Sequence, residues 1–162
     1  MAYSRDEAFN THKDYKENVN LWEYYIRSFN GGYDYTIGQY LNRYNLELDN
    51  EYNQRLGNTP CDNHCKNIIQ IYSSFLFRVR ASRNFGSMAE EPSLESFLKD
   101  ADLDGNSFTS VMKQAQNYSA IYGHCFLILD KPAIQTRTRA EELNQEIRPY
   151  LSIVTPENVL DW

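Results

Sequence analysis

Two apolar runs near the end of the sequence constrain the fold more than any other feature. Residues 124–130 are followed by Lys131-Pro132, and residues 150–154 are followed by Thr155-Pro156. Both runs have the length and composition of β-strands closed by turn residues, so we predict that they are neighbouring strands of one sheet. A two-stranded ribbon is marginal in water and normally continues into further strands. We therefore expect an incomplete β-segment that belongs to a longer protein.

The preceding two thirds of the chain predict helices. Apolar residues recur every three or four positions in residues 21–29 and again in residues 33–56, where the pattern allows a break near Asn45. A further helix is expected from Ser107 to a C-cap at Gly123. The predicted fold class is α+β, with mostly helical first two thirds followed by an incomplete, antiparallel β-segment.

Composition divides the chain into two regions. Residues 1–20 are polar and charged, and we expect a flexible N-terminal arm that orders on a partner. Residues 21–162 have a globular composition and are expected to form one helix-rich α/β segment. Within this segment, residues 131–148 lack an apolar face, which predicts an exposed excursion between the two strands.

The clearest helical pattern runs from Thr59 to Val79. Thr59 is a good N-cap, with Pro60 at the first helical position and Asp62 placed for a capping box. An apolar stripe follows with a 3.6-residue period, and we expect it to be the buried seam of one helix. The stripe consists of Cys61, Cys65, Ile68, Ile69, Tyr72, Phe75, Leu76 and Val79. Phe77 lies off the stripe, which predicts apolar contact on a second side.

Tyrosine is concentrated in the first third of the chain. A tyrosine ring can be buried while its hydroxyl stays in water, so these residues suit either the core of a helical subdomain or a contact surface between subunits. The candidate interface residues are Trp22, Tyr25, Tyr33, Tyr40, Tyr44, Tyr52 and Phe77.

Charge and hydropathy exclude some functional classes. The formal net charge is −6, which argues against a surface that wraps nucleic acid by neutralising phosphates. No run approaches the roughly 20 apolar residues of a membrane span, and the residues after Met1 lack the apolar region of a signal peptide. We expect a soluble protein that is made in a cytoplasm.

No residue pattern predicts a catalytic, cofactor or metal site. Asp100, Asp102 and Asp104 with Gly105 match the opening of a calcium loop, but Val111 stands where the closing glutamate belongs. Asp-Gly is therefore better explained as a turn before a helix.

The cysteines and histidines also lack a chemical pattern. Cys61, His64 and Cys65 supply only half of a zinc site, and buried structural thiols are favoured there. Cys125 and His124 are consecutive residues of a predicted strand, so their side chains point to opposite faces and form no nucleophile–base pair.

The order of these segments resembles the N-terminal part of a tailed-bacteriophage portal protein, from about Leu21 to Trp162. The segments are Trp22-Glu23-Tyr24-Tyr25, Gly31-Gly32-Tyr33-Asp34-Tyr35, Glu51-Tyr52-Asn53-Gln54-Arg55-Leu56, Asn67-Ile68-Ile69, residues 94–105, residues 122–130, Arg148-Pro149-Tyr150 and residues 155–162. The resemblance implies part of the wing, the outer α/β region of the ring. The stem, clip and crown of a portal subunit have no counterpart in this sequence.

The resemblance also implies a function and partners. The chain is expected to be a structural segment of a cyclic homo-oligomer, a dodecamer by family resemblance, at the unique capsid vertex of the virion. Phage DNA passes through such a ring during packaging and ejection without sequence-specific binding. The full-length protein is expected to contact capsid protein, a head–tail adaptor and terminase. No catalytic residue, cofactor, metal or membrane is implied.

Two other functions stay open from the sequence. The first is a small free-standing interaction protein, such as a phage head–tail adaptor, that is complete at Trp162. A metal-dependent hydrolase is the alternative from another class, and it would use Asp100, Asp102 and Asp104 with His124.

Overall fold

A computed structural model describes residues 11–60, 62–132, 138, 141 and 147–162. These residues form six α-helices and one two-stranded antiparallel sheet, which confirms the predicted α+β class. The helices are Lys13–Asn30 (α1), Gly32–Ile37 (α2), Asp49–Asn58 (α3), His64–Leu76 (α4), Pro92–Lys99 (α5) and Phe108–Tyr122 (α6), and the strands are Phe126–Asp130 (β1) and Tyr150–Val154 (β2). Short 3₁₀ turns occupy Gly86–Met88 and Pro156–Asn158.

The described chain divides into two compact units. The first takes the described residues up to Tyr72 together with Pro156–Trp162, and the second takes those of Ser73–Thr155. Helix α4 crosses from one unit to the other at Tyr72.

The core of the first unit lies where α1 meets the final residues of the chain. Trp22 is 5% exposed, and its ring lies 6.0 Å from Tyr15 and 6.5 Å from Trp162. The Tyr15 hydroxyl donates a hydrogen bond to the Glu157 carbonyl at 3.2 Å. These contacts hold Pro156–Trp162 against α1.

Gly31 ends α1 at a point of close approach. Its φ of 69° lies in the left-handed region, and its N–H donates to the Arg27 carbonyl. The side-chain amide of Asn63 donates to the carbonyl of Phe29 immediately before this turn. A Cβ atom at Gly31 would meet Asn63 Nδ2 at 2.6 Å, so both conformation and space require glycine here.

Helix α6 organises the second unit. Ser107 Oγ accepts a hydrogen bond from the Ser110 N–H at its start, and Gly123 caps its end with a φ of 89°, as the sequence predicts. The helix packs against α5 and β2. Its buried side chains are Val111, Ala115, Ile121 and Tyr122.

The two predicted strands pair as expected. The register runs from Phe126 opposite Val154 to Asp130 opposite Tyr150. The Tyr150 hydroxyl donates to Asp130 Oδ2 at 3.3 Å across the last pair. The excursion expected between the strands lies mostly outside the described residues.

Two predicted boundaries in the first third differ from the structure. Helix α1 begins at Lys13, so residues 13–20 of the expected arm are helical, while residues 1–10 lie outside the described residues. The pattern over residues 33–56 forms two helices, because α2 ends at Ile37 and α3 begins at Asp49. Gln39, with a φ of 53°, stops the first of them.

The prediction for the fourth helix was wrong in its start and in its buried face. Helix α4 begins at His64, and Thr59 instead caps the end of α3, where its hydroxyl donates to the Arg55 carbonyl at 2.6 Å. The apolar stripe, apart from the half-buried Ile69, is exposed where described, and Ser73 is the buried residue of the helix. Cys61 lies outside the described residues.

Candidate interaction surfaces

Helix α4 and the residue one turn beyond it carry an apolar face that is open to solvent. We call this the α4 outer face; its members are Ile68, Ile71, Tyr72, Phe75, Leu76 and Val79. They recur at intervals of three and four residues, so they form one stripe along the helix. Phe75 is 67% exposed and Val79 is 72% exposed. Exposed apolar patches of this kind usually mark interaction sites.

The opposite side of α4 carries its less exposed residues. Ile69, Ser73 and Phe77 are spaced four residues apart. Ser73 is buried, and Ile69 and Phe77 are half-buried. Ser73 is 1% exposed, and its hydroxyl has no hydrogen-bond partner within the described chain. A four-residue row places all three side chains on one side of the helix. Apolar residues therefore occupy two sides of α4. The side with Ile69 and Phe77 is partly buried, and the α4 outer face is exposed.

The candidate interface residues of the sequence analysis fall into two groups. Tyr25, Tyr33 and Tyr44 are exposed, and Tyr33 is the most exposed of them at 79%. The remaining four are buried or half-buried, namely Trp22, Tyr40, Tyr52 and Phe77. Trp22 packs in the core of the first unit. The seven residues therefore differ widely in exposure.

Tyr40 belongs to an intramolecular aromatic cluster. Its ring lies 4.7 Å from Tyr24, edge to face, and 5.3 Å from Tyr35. Burial raises the pKa of Tyr40, against the opposing effect of the Arg27 charge. The cluster therefore serves packing within the first unit.

A cation and a carboxylate organise the turn between α2 and α3. The Arg55 guanidinium makes two hydrogen bonds of 2.7 Å to the two oxygens of Glu47. It also lies 4.6 Å above the exposed Tyr44 ring, while the Tyr52 hydroxyl donates to the Leu41 carbonyl at 2.9 Å. These contacts fix Tyr44 at the surface without covering it.

Strand β1 is the second exposed apolar element. Leu127, Ile128 and Leu129 are 45%, 48% and 65% exposed. Leu127 and Leu129 point to one face of the sheet and Ile128 points to the other, so neither face of the strand is covered. Runs that are apolar on both faces are typical of strands buried inside a sheet. The unbroken apolar run in the sequence was the signal that could have identified this surface.

The acidic segment between α5 and α6 is a turn stabilised by its own carboxylates. Asp102 Oδ1 accepts from the backbone N–H groups of Asp104 and Asn106, and Oδ2 accepts from the Asn106 side chain. Burial alone would raise the pKa of Asp102, but these hydrogen bonds outweigh it and hold the pKa below its usual value. Asp100 accepts from the Gly105 N–H and pairs with Arg148.

The acidic turn does not bring a metal-binding set together. No group of three or more metal-ligating side chains occurs in the part of the chain that the structure describes.

The two described thiols, Cys65 and Cys125, show no arrangement for chemistry. Cys65 is exposed, contrary to the predicted buried thiol, because it lies on the outer side of α4. Cys125 is half-buried, with Sγ 3.4 Å from the Ser119 hydroxyl and 3.4 Å from the Ala115 carbonyl. Its contacts are therefore those of a packed side chain.

Comparison with known proteins leaves the family open. No protein-family model matches the chain, and no curated protein matches its sequence significantly. Among the described helices, none combines the length and the apolar character that a bilayer crossing requires.

Proposed function

We propose that this chain is a structural subunit segment of a tailed-bacteriophage portal ring. In this role it helps to form the DNA conduit at the unique capsid vertex for packaging, ejection and head–tail joining. It is an assembly protein without turnover of its own. The observation that carries the proposal is the α4 outer face, since it supplies apolar surface for a neighbour that the chain itself does not cover.

Ring assembly explains why a helix of this composition faces water. Closing a ring requires a heterologous contact, in which one surface of a subunit meets a different surface of the next. The α4 outer face runs from Ile68 to the end of the helix at Leu76, continues to Val79 beyond it, and presents two aromatic rings. Aromatic residues are enriched in the buried centres of protein interfaces. The ordered sequence resemblance then favours the portal among ring-forming proteins.

The acidic turn supports a structural role over the hydrolase alternative. The carboxylate oxygens of Asp100 and Asp102 accept hydrogen bonds from backbone amides, from the Asn106 side chain and from Arg148. A metal would have to displace these bonds, and the turn that leads into α6 depends on them.

Labelling of phage particles tests the proposed location. An antibody against this chain should label one vertex of each mature particle and the same vertex of DNA-free precursor capsids. A packaging conduit must be present before DNA enters, whereas an adaptor that joins head and tail can be added afterwards. Label over the whole capsid, or on filled particles alone, would contradict the portal proposal.

A pair of variants tests the surface. Phe75→Asp combined with Leu76→Asp should convert ring oligomers into monomers in mass photometry, with an unchanged helical circular dichroism spectrum. Gln70→Asp is the matched control, because Gln70 is an exposed polar residue of the same helix. If the double variant still forms rings, the α4 outer face is not required for assembly.

A further inference from the structure

Among the described residues, the two strands leave unpaired backbone groups on both edges of their sheet. The Leu151 N–H donates to the Ala101 carbonyl at 2.7 Å, so it points away from β1. Leu151 stands opposite Leu129, and in an antiparallel pair both residues of such a position direct their backbone groups outward. The pattern repeats every second residue. The backbone N–H and C=O groups of Leu127 and Leu129 on β1, and of Ile153 on β2, therefore also point away from the partner strand.

These outward groups are not used within the described chain. No backbone hydrogen bond joins Leu127, Leu129 or Ile153 to any described residue outside the β1–β2 pair. Natural proteins usually protect such edges with charges, proline or a covering element. Strand β1 instead carries three apolar side chains in succession, all at least 45% exposed. Within the described residues, the β1 edge and the β2 edge from Ile153 onward are therefore open to another strand.

We infer that β1 of one copy of this chain pairs with the outer edge of β2 in the next copy. The contact joins two different edges of the sheet, so a pair of copies retains one free edge at each end. This is the heterologous geometry that propagates around a ring, and the choice of a second copy as occupant rests on the proposed function. The joined sheet is antiparallel throughout, because β1 and β2 are antiparallel within one copy.

Ala101 sets the register of this pairing. Its carbonyl already occupies the position beside Leu151, so an incoming strand reaches hydrogen-bonding distance only from Ile153 onward. Leu129 of one copy then stands opposite Ile153 of the next, and Lys131 comes beside the acidic turn. A groove of about 230 Å³ borders this edge and is lined in part by Asp102, Asp104 and Gln114. The lysine charge complements the two carboxylates of the groove.

Proline substitutions test each edge separately. Leu129→Pro and Ile153→Pro each remove an N–H that points away from the β1–β2 pair, and proline is tolerated at such edge positions. Each variant should therefore keep its circular dichroism spectrum and sediment as a 19.0 kDa monomer where the wild-type chain forms oligomers. Leu129→Val keeps the N–H and should still assemble.

Mixing the two proline variants gives the decisive result. Leu129→Pro retains a competent β2 edge and Ile153→Pro retains a competent β1 edge, so an equimolar mixture should form a dimer of twice 19.0 kDa that grows no further. A dimer formed by either variant alone would overturn the heterologous pairing. Oligomers that persist in both variants would overturn the strand inference and leave the ring proposal standing. A wild-type chain that stays monomeric at high concentration would overturn both.

Hydrogen exchange keeps the inference testable if a proline variant fails to fold. In the wild-type chain, the amides of Leu129 and Ile153 should become protected, by tenfold or more, only at concentrations that give oligomers. Equal exchange rates in monomer and oligomer would overturn the pairing.

Discussion

Arg148 and Asp100 form a partly buried ion pair between residues 48 positions apart in sequence. Arg148 Nη2 lies 2.5 Å from Asp100 Oδ2, and Nη1 donates to the Asp100 carbonyl. The pair ties the entry of β2 to the turn that follows α5. The adjacent backbone bond from Leu151 to Ala101 continues the same link. One arginine thus fixes the sheet edge on which the inferred strand pairing depends.

Replacing Arg148 by methionine should destabilise the second unit. The side chain of Asp100 is 30% exposed and would lose a charge-assisted partner, so we expect a loss of about 1.5–3 kcal/mol in the free energy of unfolding. Urea denaturation followed by tyrosine fluorescence measures it. Lys99→Met is the matched control, because the exposed Lys99–Glu95 pair should contribute less than about 1 kcal/mol. Equal losses in the two variants would contradict this role.

Two glycine-to-alanine substitutions should change stability in opposite directions. Gly123 has a φ of 89°, so an alanine there should cost about 1–2 kcal/mol even though a Cβ meets nothing within 4 Å. Gly57 lies within α3, and a Cβ there also meets nothing. Gly57→Ala should therefore stabilise the fold by roughly 0.4–1 kcal/mol. Thermal unfolding midpoints of both variants provide the measurement, and a gain at Gly123 would show that the left-handed cap is absent.

Two isoleucine-to-alanine substitutions distinguish the core from the α4 outer face. Ile121 is 8% exposed, so Ile121→Ala should cost about 2–5 kcal/mol. Ile71 is 56% exposed, so Ile71→Ala should cost less than about 1 kcal/mol in the monomer. Chemical denaturation of the monomeric chain compares them directly. A cost at Ile71 as large as that at Ile121 would mean that the chain covers its own α4 outer face.

The sequence predicts the helices and strands better than it predicts which of their side chains are buried. Ser107 and Gly123 bound α6 as expected, because an N-cap hydroxyl and a left-handed C-cap are local requirements of a single helix. Both strands form where expected for the same reason, since an apolar run closed by turn residues is also a local signal. The apolar pattern of residues 61–79 correctly identified a helix.

The buried side of that helix was not predictable from periodicity. An apolar stripe shows that a face is suited to burial, but the pattern is the same whether the covering surface comes from the same chain or from another. Ser73 is the buried residue of α4 although it is polar and small, and no sequence pattern marks it. The interface residues were likewise proposed from residue type alone, which cannot separate Trp22 in the core from Tyr33 at the surface.

The acidic turn should bind neither calcium nor magnesium at physiological concentrations. Asp100 and Asp102 are engaged by protein donors, and the position of the usual closing carboxylate is held by Val111, which is 2% exposed. Isothermal titration calorimetry of the wild-type chain should show no binding heat above dilution. Micromolar binding that disappears in Asp102→Ala would instead support the hydrolase alternative.

The Glu47–Arg55 pair should make the stability of the first unit depend on acidity. Hydrogen bonds from the Arg55 guanidinium outweigh burial and lower the pKa of Glu47 in the folded chain. A lowered folded-state pKa stabilises the fold at every pH above the pKa of an unfolded glutamate, which is about 4.3. That contribution is lost as the pH falls through the folded-state pKa. Glu47→Gln should therefore lower the urea midpoint at pH 7 and approach the wild-type midpoint at pH 3.

An exposed glutamate provides the control for this pH dependence. Glu17 lies 3.6 Å from Lys13 on the surface of α1, and Glu17→Gln should leave the midpoint at pH 7 nearly unchanged because such exposed pairs contribute little. Arg55→Met removes the donor instead of the carboxylate and should reproduce the pH 7 loss of Glu47→Gln. A gap between wild type and Glu47→Gln that is as wide at pH 3 as at pH 7 would exclude ionisation of Glu47 as the cause. The substitution would then act through lost packing around Tyr44, which lies under the same guanidinium.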